Sequence, residues 1–379
     1  MSPTPTSMSD PRVPAGYSWE ATNEEVARRY GLPVKSIVRF DLNTSPTAPA
    51  GVARLLANGR FETGLSEYPP SDYRRLVAAA AAAYGVPAEE LLVGAGADEI
   101  LDLVAKAFLS EGDRAVIPSP SYAMYRVLTE QRRATVVEVA RLAPEAERAL
   151  DRQAVRAAAR GAAVVWLCNP NNPTGRLEPD GLIEALLGDL AADARTDGQP
   201  APVVVLDEAY SEFVGLSLAG MRASYPRLIV VRTISKAYAL AGLRVGFAIA
   251  PRETLAQVEP YRPPGSVSTI SVSIATEVLG DPGVLAGNLK RVEIERARLA
   301  DGLRAAGWQP EPSVTNFVLV PFAGADAAAR AAEALLRAGL VPRTFPAGHP
   351  LANSLRLTVR DRAENDRLLA AARAMEAGR

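Results

Sequence analysis

The sequence predicts an α/β fold with a largely parallel sheet in a large unit, followed by a second, smaller α/β unit. Short apolar runs rich in β-branched residues alternate with Ala-, Leu-, Arg- and Glu-rich segments of helical period. Glycine, proline or acidic residues separate most of these segments. A length of 379 residues allows two units that each bury their own hydrophobic core. Alternation of this kind is typical of parallel strands joined by helices.

Seven apolar runs are the predicted strands of the main sheet. They lie at residues 91–93, 115–117, 134–139, 163–167, 202–206, 228–231 and 245–249. Helices are predicted between them at residues 98–109, 122–130 and 179–192. A long charged amphipathic helix at residues 287–306 leads into the smaller unit, with predicted strands at 316–320 and 354–359 and a helix at 326–338.

The composition excludes several classes of function. Lys and Arg number 42 against 43 Asp and Glu, so no net charge points to nucleic acid or to a membrane surface. The single cysteine, Cys168, excludes a disulfide framework and fits a reducing compartment. The single histidine, His349, excludes a zinc site built on paired histidines, and we expect no metal. Residues 1–14 are rich in Pro, Ser and Thr, which predicts a disordered tail and not a signal peptide, so we expect a cytoplasmic protein.

Ligands of open α/β sheets bind beyond the carboxyl ends of the strands, so the residues that follow each predicted strand are the candidates for a site. After residues 91–93 the chain reads Gly94 to Glu99, where small residues at the start of a helix let backbone amides approach an anion. Tyr122 follows the next strand on a proline-stiffened loop and could stack on a flat ligand. Taken alone, Asp98 could equally be a helix cap and Tyr122 a core residue.

Two further strands end in polar residues. Asn172 lies in an Asn- and Pro-rich turn, where it is either part of a rigid turn or a hydrogen-bond donor to a ligand oxygen. Asp207 ends an apolar strand, and an unpaired carboxylate there needs a cationic partner such as a pyridinium N–H. Tyr210 could reach the same ligand. The Asp207–Glu208 pair by itself could hold a metal, but the chain has no Gly-Lys-Ser/Thr phosphate loop to support that interpretation.

Lys236 follows the apolar run at residues 228–231. Burial at such a position lowers the pKa of a lysine and prepares its amine for condensation with an aldehyde. The hydroxyls of Thr233 and Ser235 and the guanidinium of Arg244 could hold a phosphate. Together the strand ends describe a flat aromatic ligand with a protonated ring nitrogen, a ring oxygen, a phosphate and an aldehyde. We therefore predict pyridoxal 5'-phosphate (PLP) as the cofactor.

Several segments resemble the fold-type-I aminotransferases, and in particular the histidinol-phosphate aminotransferase family. They lie at residues 68–69, 96–99, 120–125, 171–175, 207–213 and 233–246. The resemblance runs in order from about residue 41 to residue 365. It implies the fold type I of PLP-dependent transferases, with a seven-stranded, mostly parallel sheet in the large domain.

The resemblance also implies roles for individual residues. Lys236 would bond covalently to the cofactor, Asp207 would pair with the pyridine nitrogen, and Asn172 and Tyr210 would bond the ring hydroxyl. Tyr122 would stack on the ring. The residues implied at the phosphate are Gly96, Ala97, Asp98, Thr233, Ser235 and Arg244. The catalytic residues would be Lys236, Asp207 and Tyr210.

Three more residues concern the partner subunit and the substrate. Tyr68 resembles the tyrosine that family members lend to the phosphate site of the neighbouring subunit, which implies a homodimer with shared active sites. Arg356 matches the arginine that binds the substrate anion in the family, and Arg343 matches a second one. The implied organisation is a tail at residues 1–14, an N-terminal arm at 15–45 packing with the small domain, a large PLP-binding domain at 46–285 and a small C-terminal domain at 286–379.

The implied activity is transfer of an amino group from histidinol phosphate or an amino acid to a 2-oxo acid such as 2-oxoglutarate. The segment at residues 42–49 and Arg360 depart from the family pattern, so the reaction class transfers better than the substrate. The alternatives are an aminotransferase for aromatic or specialised amino acids and a decarboxylase of the threonine-phosphate type. A PLP-sensing regulator is disfavoured, because the short N-terminal tail leaves no room for a helix-turn-helix extension.

Overall fold

The computed structural model describes residues 16–59 and 61–377, so the predicted tail at residues 1–14 lies outside the described residues. The strands are β1 (Val38–Arg39), β2 (Leu91–Gly94), β3 (Arg114–Ser119), β4 (Thr135–Ala140), β5 (Val164–Cys168), β6 (Val203–Asp207), β7 (Leu228–Thr233), β8 (Gly246–Ile249), β9 (Phe317–Pro321), β10 (Leu340–Val341) and β11 (Ser354–Thr358). The helices are α1 (Asn23–Tyr30), α2 (Ala50–Asn58), α3 (Arg74–Tyr84), α4 (Gly96–Phe108), α5 (Met124–Gln131), α6 (Arg152–Ala159), α7 (Leu182–Asp197), α8 (Arg252–Val258), α9 (Thr269–Leu279), α10 (Pro282–Ala305), α11 (Ala325–Arg337) and α12 (Arg362–Ala377).

The main sheet has seven strands in the order β2-β8-β7-β6-β5-β3-β4. β8 runs antiparallel to both of its neighbours, and the other pairs are parallel. All seven predicted runs are strands of this sheet, which confirms the predicted fold class. The central strands β5, β6 and β7 are buried throughout, which explains why their sequences are continuous apolar runs without alternation.

Helices cover both faces of the main sheet. On one face, α3, α6, α7 and α9 contribute residues such as Leu76, Val155, Leu186 and Val272 to one hydrophobic cluster. On the other face, α4, α5 and α8 contribute to a second cluster that includes Tyr125. Parallel strands between two helical layers bring the carboxyl ends of β3, β5, β6 and β7 to one edge of the sheet, where a cavity opens.

The two largest differences between predicted and observed helix boundaries have local reasons. α7 continues to Asp197, beyond its predicted end at residue 192, and stops at Gly198, whose φ of +64° gives a left-handed cap. α10 begins at Pro282, before its predicted start at residue 287. The Asp281 carboxylate accepts the Gly283 N–H at 2.9 Å, and Pro282 occupies a first-turn position where no N–H is needed.

A smaller unit follows the main sheet. β9 and β11 pair antiparallel, and β1, from the N-terminal segment, pairs parallel with β10. Phe40 packs in the hydrophobic cluster of this unit, and its N–H donates to Val341 O at 2.8 Å. The boundaries at residues 45 and 285 remain a prediction. Within residues 16–59 and 61–377, no helix has the length and apolar character needed to cross a membrane.

Candidate active site

A cavity of about 610 Å³ lies at the carboxyl ends of the parallel strands. It contains most of the side chains that the sequence singled out. The lining residues are Tyr17, Trp19, Asp41, Leu42, Asn43, Thr44, Ala97, Asp98, Tyr122, Met124, Cys168, Asn172, Asp207, Ala209, Tyr210, Thr233, Ser235, Lys236, Ala241, Arg244 and Arg356. Predicted site residues outside this lining are Gly96, Arg343 and Tyr68.

Lys236 extends into the cavity from the loop after β7. Its Nζ lies 3.4 Å from the carbonyl oxygen of Leu42. Burial and, to a smaller extent, the positive charge of Arg356 lower the pKa of Lys236 to about 8, while Asp98 opposes the shift. This amine therefore loses its proton near neutral pH far more readily than an ordinary lysine does, as condensation with an aldehyde requires.

Asp207 lies at the end of β6, and each of its carboxylate oxygens accepts one hydrogen bond. The hydroxyl of Tyr125 donates to Oδ2 at 2.8 Å, and the N–H of Ala209 donates to Oδ1 at 3.0 Å. Burial raises the pKa of Asp207 to about 6, and the hydrogen bond from Tyr125 limits this rise. A cation in the cavity, such as a ring N–H⁺, would stabilise the ionised form.

Tyr125 is a site residue that the sequence prediction missed. Its ring lies parallel to that of Trp166, with centroids 5.5 Å apart. The Thr129 hydroxyl donates to Tyr125 O at 2.7 Å and accepts the Trp166 indole N–H at 3.1 Å. These contacts hold the Tyr125 hydroxyl against Asp207. One feature of the sequence could have identified it. Tyr125 lies three residues after Tyr122 at the start of a predicted helix, and this spacing places both residues on the same side of that helix.

The start of α4 and the Lys236 loop meet at one end of the cavity. Gly96 has a φ of +85°, which strains other residues, and a Cβ there would lie 2.5 Å from Arg244 Nη2 and displace the guanidinium. Arg244 Nη2 lies 3.1 Å from Asp98 Oδ2. Thr233 Oγ1 lies 2.9 Å from Ser235 Oγ. Hydroxyls, a guanidinium and a helix N-terminus together suit a phosphate.

Tyr122 forms one wall of the cavity. Its hydroxyl donates to Asp98 Oδ1 at 2.9 Å, and its ring meets that of Tyr125 edge to face at 5.6 Å. Both contacts fix the ring, so its face can support a flat ligand.

Asn172 and Tyr210 also line the cavity. Asn172 Oδ1 accepts a hydrogen bond of 2.6 Å from Arg356 Nη1. The Tyr210 hydroxyl accepts one of 3.0 Å from Asn43 Nδ2, and burial raises the pKa of Tyr210. Asn43 is a second residue that the prediction missed. Its φ of +54° is a conformation that Asn tolerates better than most residues, and its N–H is bound by Thr358 Oγ1 at 3.0 Å.

The two predicted substrate arginines lie on neighbouring backbone but in different surroundings. Their main chains form an antiparallel bridge. Arg356 donates to Asp41 O and lies over the ring of Phe317, and within the described part of the chain its buried Nε has no partner. Arg343 donates to Ser18 O at 2.7 Å and lines an adjoining cavity of about 390 Å³ that Arg356 also lines.

Tyr68 lies away from the cavity of its own chain, with an exposed fraction of 88%. In the described ranges, no group of His, Cys, Asp and Glu residues has an arrangement that could hold a metal ion.

Comparison with known proteins agrees with this geometry. Residues 40–371 match the family described as aminotransferase class I and II. The histidinol-phosphate aminotransferase of Anaeromyxobacter sp. (strain Fw109-5) is 35% identical over 357 residues, which covers 92% of this chain and 93% of that protein. That of Shouchella clausii (strain KSM-K16) is 34% identical over 352 residues, with 90% of each chain covered. These matches confirm the resemblance that the sequence motifs predicted.

Solved structures share the fold. Histidinol-phosphate aminotransferase from Sinorhizobium meliloti, solved in complex with pyridoxal-5'-phosphate, matches with a TM-score of 0.83 at 26% identity, covering 95% of this chain and 96% of that one. L-threonine-O-3-phosphate decarboxylase from Porphyromonas gingivalis matches with a TM-score of 0.71 at 23% identity, covering 89% of this chain and 99% of that one. At that identity the second match is evidence of the fold alone.

Proposed function

This chain belongs to the class I and II aminotransferases, which act with PLP, and from that premise we propose that histidinol phosphate is its amino donor and a 2-oxo acid such as 2-oxoglutarate its acceptor. The observation that carries the proposal is the convergence of three groups in one cavity. They are the Lys236 amine with its lowered pKa, the buried Asp207 carboxylate and the Arg356 guanidinium.

The residues of the cavity fit PLP. Among the described residues, only neutral groups donate hydrogen bonds to Asp207. Its buried carboxylate can therefore form an ion pair with a protonated ring nitrogen. Ser235 and Arg244, with the start of α4, would hold the phosphate. Tyr122 would contact the ring face, and Asn172 and Tyr210 the ring hydroxyl. Lys236 would bond to the aldehyde carbon.

The bound cofactor supplies an electron-accepting ring, which allows the donor Cα to lose a proton. Lys236 Nζ would be the base that holds and moves this proton, which its position in the cavity and its lowered pKa allow. Asp207 would hold the proton on the ring nitrogen. Arg356 binds the anionic group of each substrate through its planar fork, while Asn172 orients the guanidinium.

Two further observations support histidinol phosphate as the donor. The relatives named for this activity cover at least nine-tenths of the chain. The two arginines, Arg356 and Arg343, line adjoining cavities, so a donor phosphate and an acceptor carboxylate can each form an ion pair with a guanidinium.

The exposure of Tyr68 supports a homodimer with shared sites. Tyr68 is 88% exposed, although its motif matches a phosphate-site tyrosine, and a neighbouring subunit would give it that role. Mixing Tyr68→Phe with Lys236→Ala protein should restore some activity, because one site of each hybrid dimer would be intact. No recovery in a mixture shown to exchange subunits contradicts the shared site.

A donor panel tests the proposed substrate. We expect kcat/KM with 2-oxoglutarate to be highest for histidinol phosphate among histidinol phosphate, phenylalanine, tyrosine, leucine and O-phosphothreonine. Equal or faster turnover of phenylalanine or tyrosine would identify an aromatic aminotransferase instead. Release of CO2 from O-phosphothreonine would identify a decarboxylase.

A further inference from the structure

A second cavity adjoins the candidate active site. It has a volume of about 390 Å³ and lies between α5 and the loop that carries Arg343. Tyr17, Tyr122, Asn172 and Arg356 line both cavities. A donor whose anion is bound by Arg356 can therefore extend a side chain into the second cavity without crossing a wall of the protein.

One wall of this cavity is aromatic. The rings of Phe345 and His349 are stacked, with centroids 4.9 Å apart and planes inclined by 18°. The loop is held by hydrogen bonds from His349 N to Pro346 O at 3.1 Å and from Ala352 N to His349 O at 2.9 Å. These contacts give the cavity a fixed, flat surface on which a ring can stack.

The hydrogen bonding of His349 determines where its ring proton lies. Nδ1 accepts the Leu351 N–H at 3.0 Å, so the neutral imidazole carries its proton on Nε2. Burial lowers the pKa of His349, so the neutral form prevails at pH 7. Two charged groups act on this imidazole: Glu138 raises its pKa and Arg343 lowers it. His349 therefore offers one N–H donor together with its ring face.

The wall formed by α5 and β4 is acidic. Arg126 forms ion pairs with Glu130 at 2.9 Å and with Glu138 at 2.8 Å. These three side chains therefore carry a net negative charge. All three line the cavity. Carboxylate oxygens there can accept a ring N–H, while the His349 N–H can donate to an unprotonated ring nitrogen.

We propose that this cavity receives the side chain of the amino donor and that His349 and Phe345 select a flat nitrogen heterocycle there. The proposal rests on the aminotransferase function proposed above and deepens it. An imidazole has both an N–H and an unprotonated nitrogen and can stack on the aromatic wall. An aliphatic side chain can do neither, and a phenyl ring can only stack.

The single histidine of the chain makes a direct test possible. Holoenzyme prepared with ¹⁵N-labelled histidine gives imidazole signals from His349 alone. Histidinol phosphate and O-phosphoethanolamine share an amine and a phosphate at the same spacing, and only the former carries a ring. We expect histidinol phosphate to shift the His349 signals and O-phosphoethanolamine, at saturation, to leave them unmoved.

Variants of His349 give a second readout. His349→Ala should raise KM for histidinol phosphate on the order of tenfold, the scale of one lost aromatic contact. His349→Phe keeps a stacking face and should raise it less. Neither change should alter the Kd of O-phosphoethanolamine, and thermal melting checks the fold of each variant.

The outcomes separate this inference from the proposed donor. His349 signals that stay unmoved at saturating histidinol phosphate overturn the subsite, as do equal shifts by both ligands. If histidinol phosphate shifts the signals but is not turned over, the proposed donor is wrong and the subsite for a heterocycle stands.

Discussion

The two ends of the active-site cavity are built in different ways. At the cofactor end, Asp98, Tyr122, Asn172, Asp207 and Lys236 each lie at or shortly after the carboxyl end of a strand of one sheet. Each lies within a short segment whose local sequence already marks it as a candidate for the site. The cofactor end is therefore determined by strand order and by turns.

The substrate end is assembled from segments that are distant in the chain. Arg343 donates to Ser18 O, the Thr344 N–H and hydroxyl donate to Glu20 Oε1 at 2.7 and 2.8 Å, and Arg356 donates to Asp41 O. These contacts span more than 300 residues of sequence. The residues for cofactor chemistry thus lie on the rigid sheet. The residues that select the substrate lie where the N-terminal segment meets the smaller unit.

The largest effect should come from Lys236→Ala at the cofactor end. The change removes both the amine that bonds to the cofactor and the base that moves the proton, so turnover should fall to background. Steady-state assays with histidinol phosphate and 2-oxoglutarate measure this. Lys35→Ala, at an exposed lysine, is the control and should keep full activity. Near-normal turnover by Lys236→Ala would show that Lys236 neither bonds to the cofactor nor moves the proton.

Asp207→Asn should have the next largest effect. It keeps the shape of the side chain but removes the anion that holds the ring-nitrogen proton. We expect kcat to fall by a few orders of magnitude, corresponding to roughly 3 to 4 kcal/mol for one preorganised electrostatic group. Thermal melting should show a folded protein. Unfolding without a separate loss of kcat would indicate a structural role for Asp207 instead.

Much of the fold and of the cofactor end could be predicted from sequence, because both depend on local patterns. Continuous apolar runs predict buried parallel strands, and the residue after each run is fixed at the edge of the sheet. The contacts of Tyr125 and Asn43 could not be predicted in this way. Tyr125 reaches Asp207 across a sequence separation of 82 residues, and Asn43 reaches Tyr210 across 167. Such pairs depend on packing between elements, which periodicity does not encode.

Arg356→Ala should affect the substrate end and spare the cofactor. We expect KM for the oxo acid to rise by an amount equivalent to roughly 2 to 5 kcal/mol, the scale for truncating one partner of a buried charge pair. The affinity for PLP should stay within a factor of about three. In contrast, Arg343 lines only the second cavity, which we propose receives the donor side chain, so Arg343→Ala should raise KM for the donor more than for the oxo acid. If both changes weaken PLP binding as strongly as substrate binding, the two ends are not separable.

Tyr125→Phe should have the smallest effect and a distinctive pH dependence. Loss of one hydrogen bond to a charged group should weaken PLP binding about tenfold. Asp207, with its pKa raised to about 6, is ionised above that pH, so PLP affinity should fall as the pH drops through 6. Without the Tyr125 hydroxyl the carboxylate protonates more readily, and the fall should begin at higher pH.

Tyr225→Phe is the matched control for this prediction. Tyr225 is also buried, and its hydroxyl donates to Pro202 O at 2.8 Å, outside the cavity lining. This variant should follow the wild-type pH curve for PLP binding. Identical curves for Tyr125→Phe and wild type would show that Tyr125 does not support the Asp207 carboxylate.

Chemical trapping of the cofactor shows which lysine carries it. Purified protein with PLP is treated with borohydride, digested and mapped by mass spectrometry. We expect the mass of the reduced cofactor to appear on the peptide that contains Lys236. We also expect histidinol phosphate, added before borohydride, to prevent this labelling. Label on Lys35, Lys106 or Lys290 in place of Lys236, or protection by no amino donor, would contradict it.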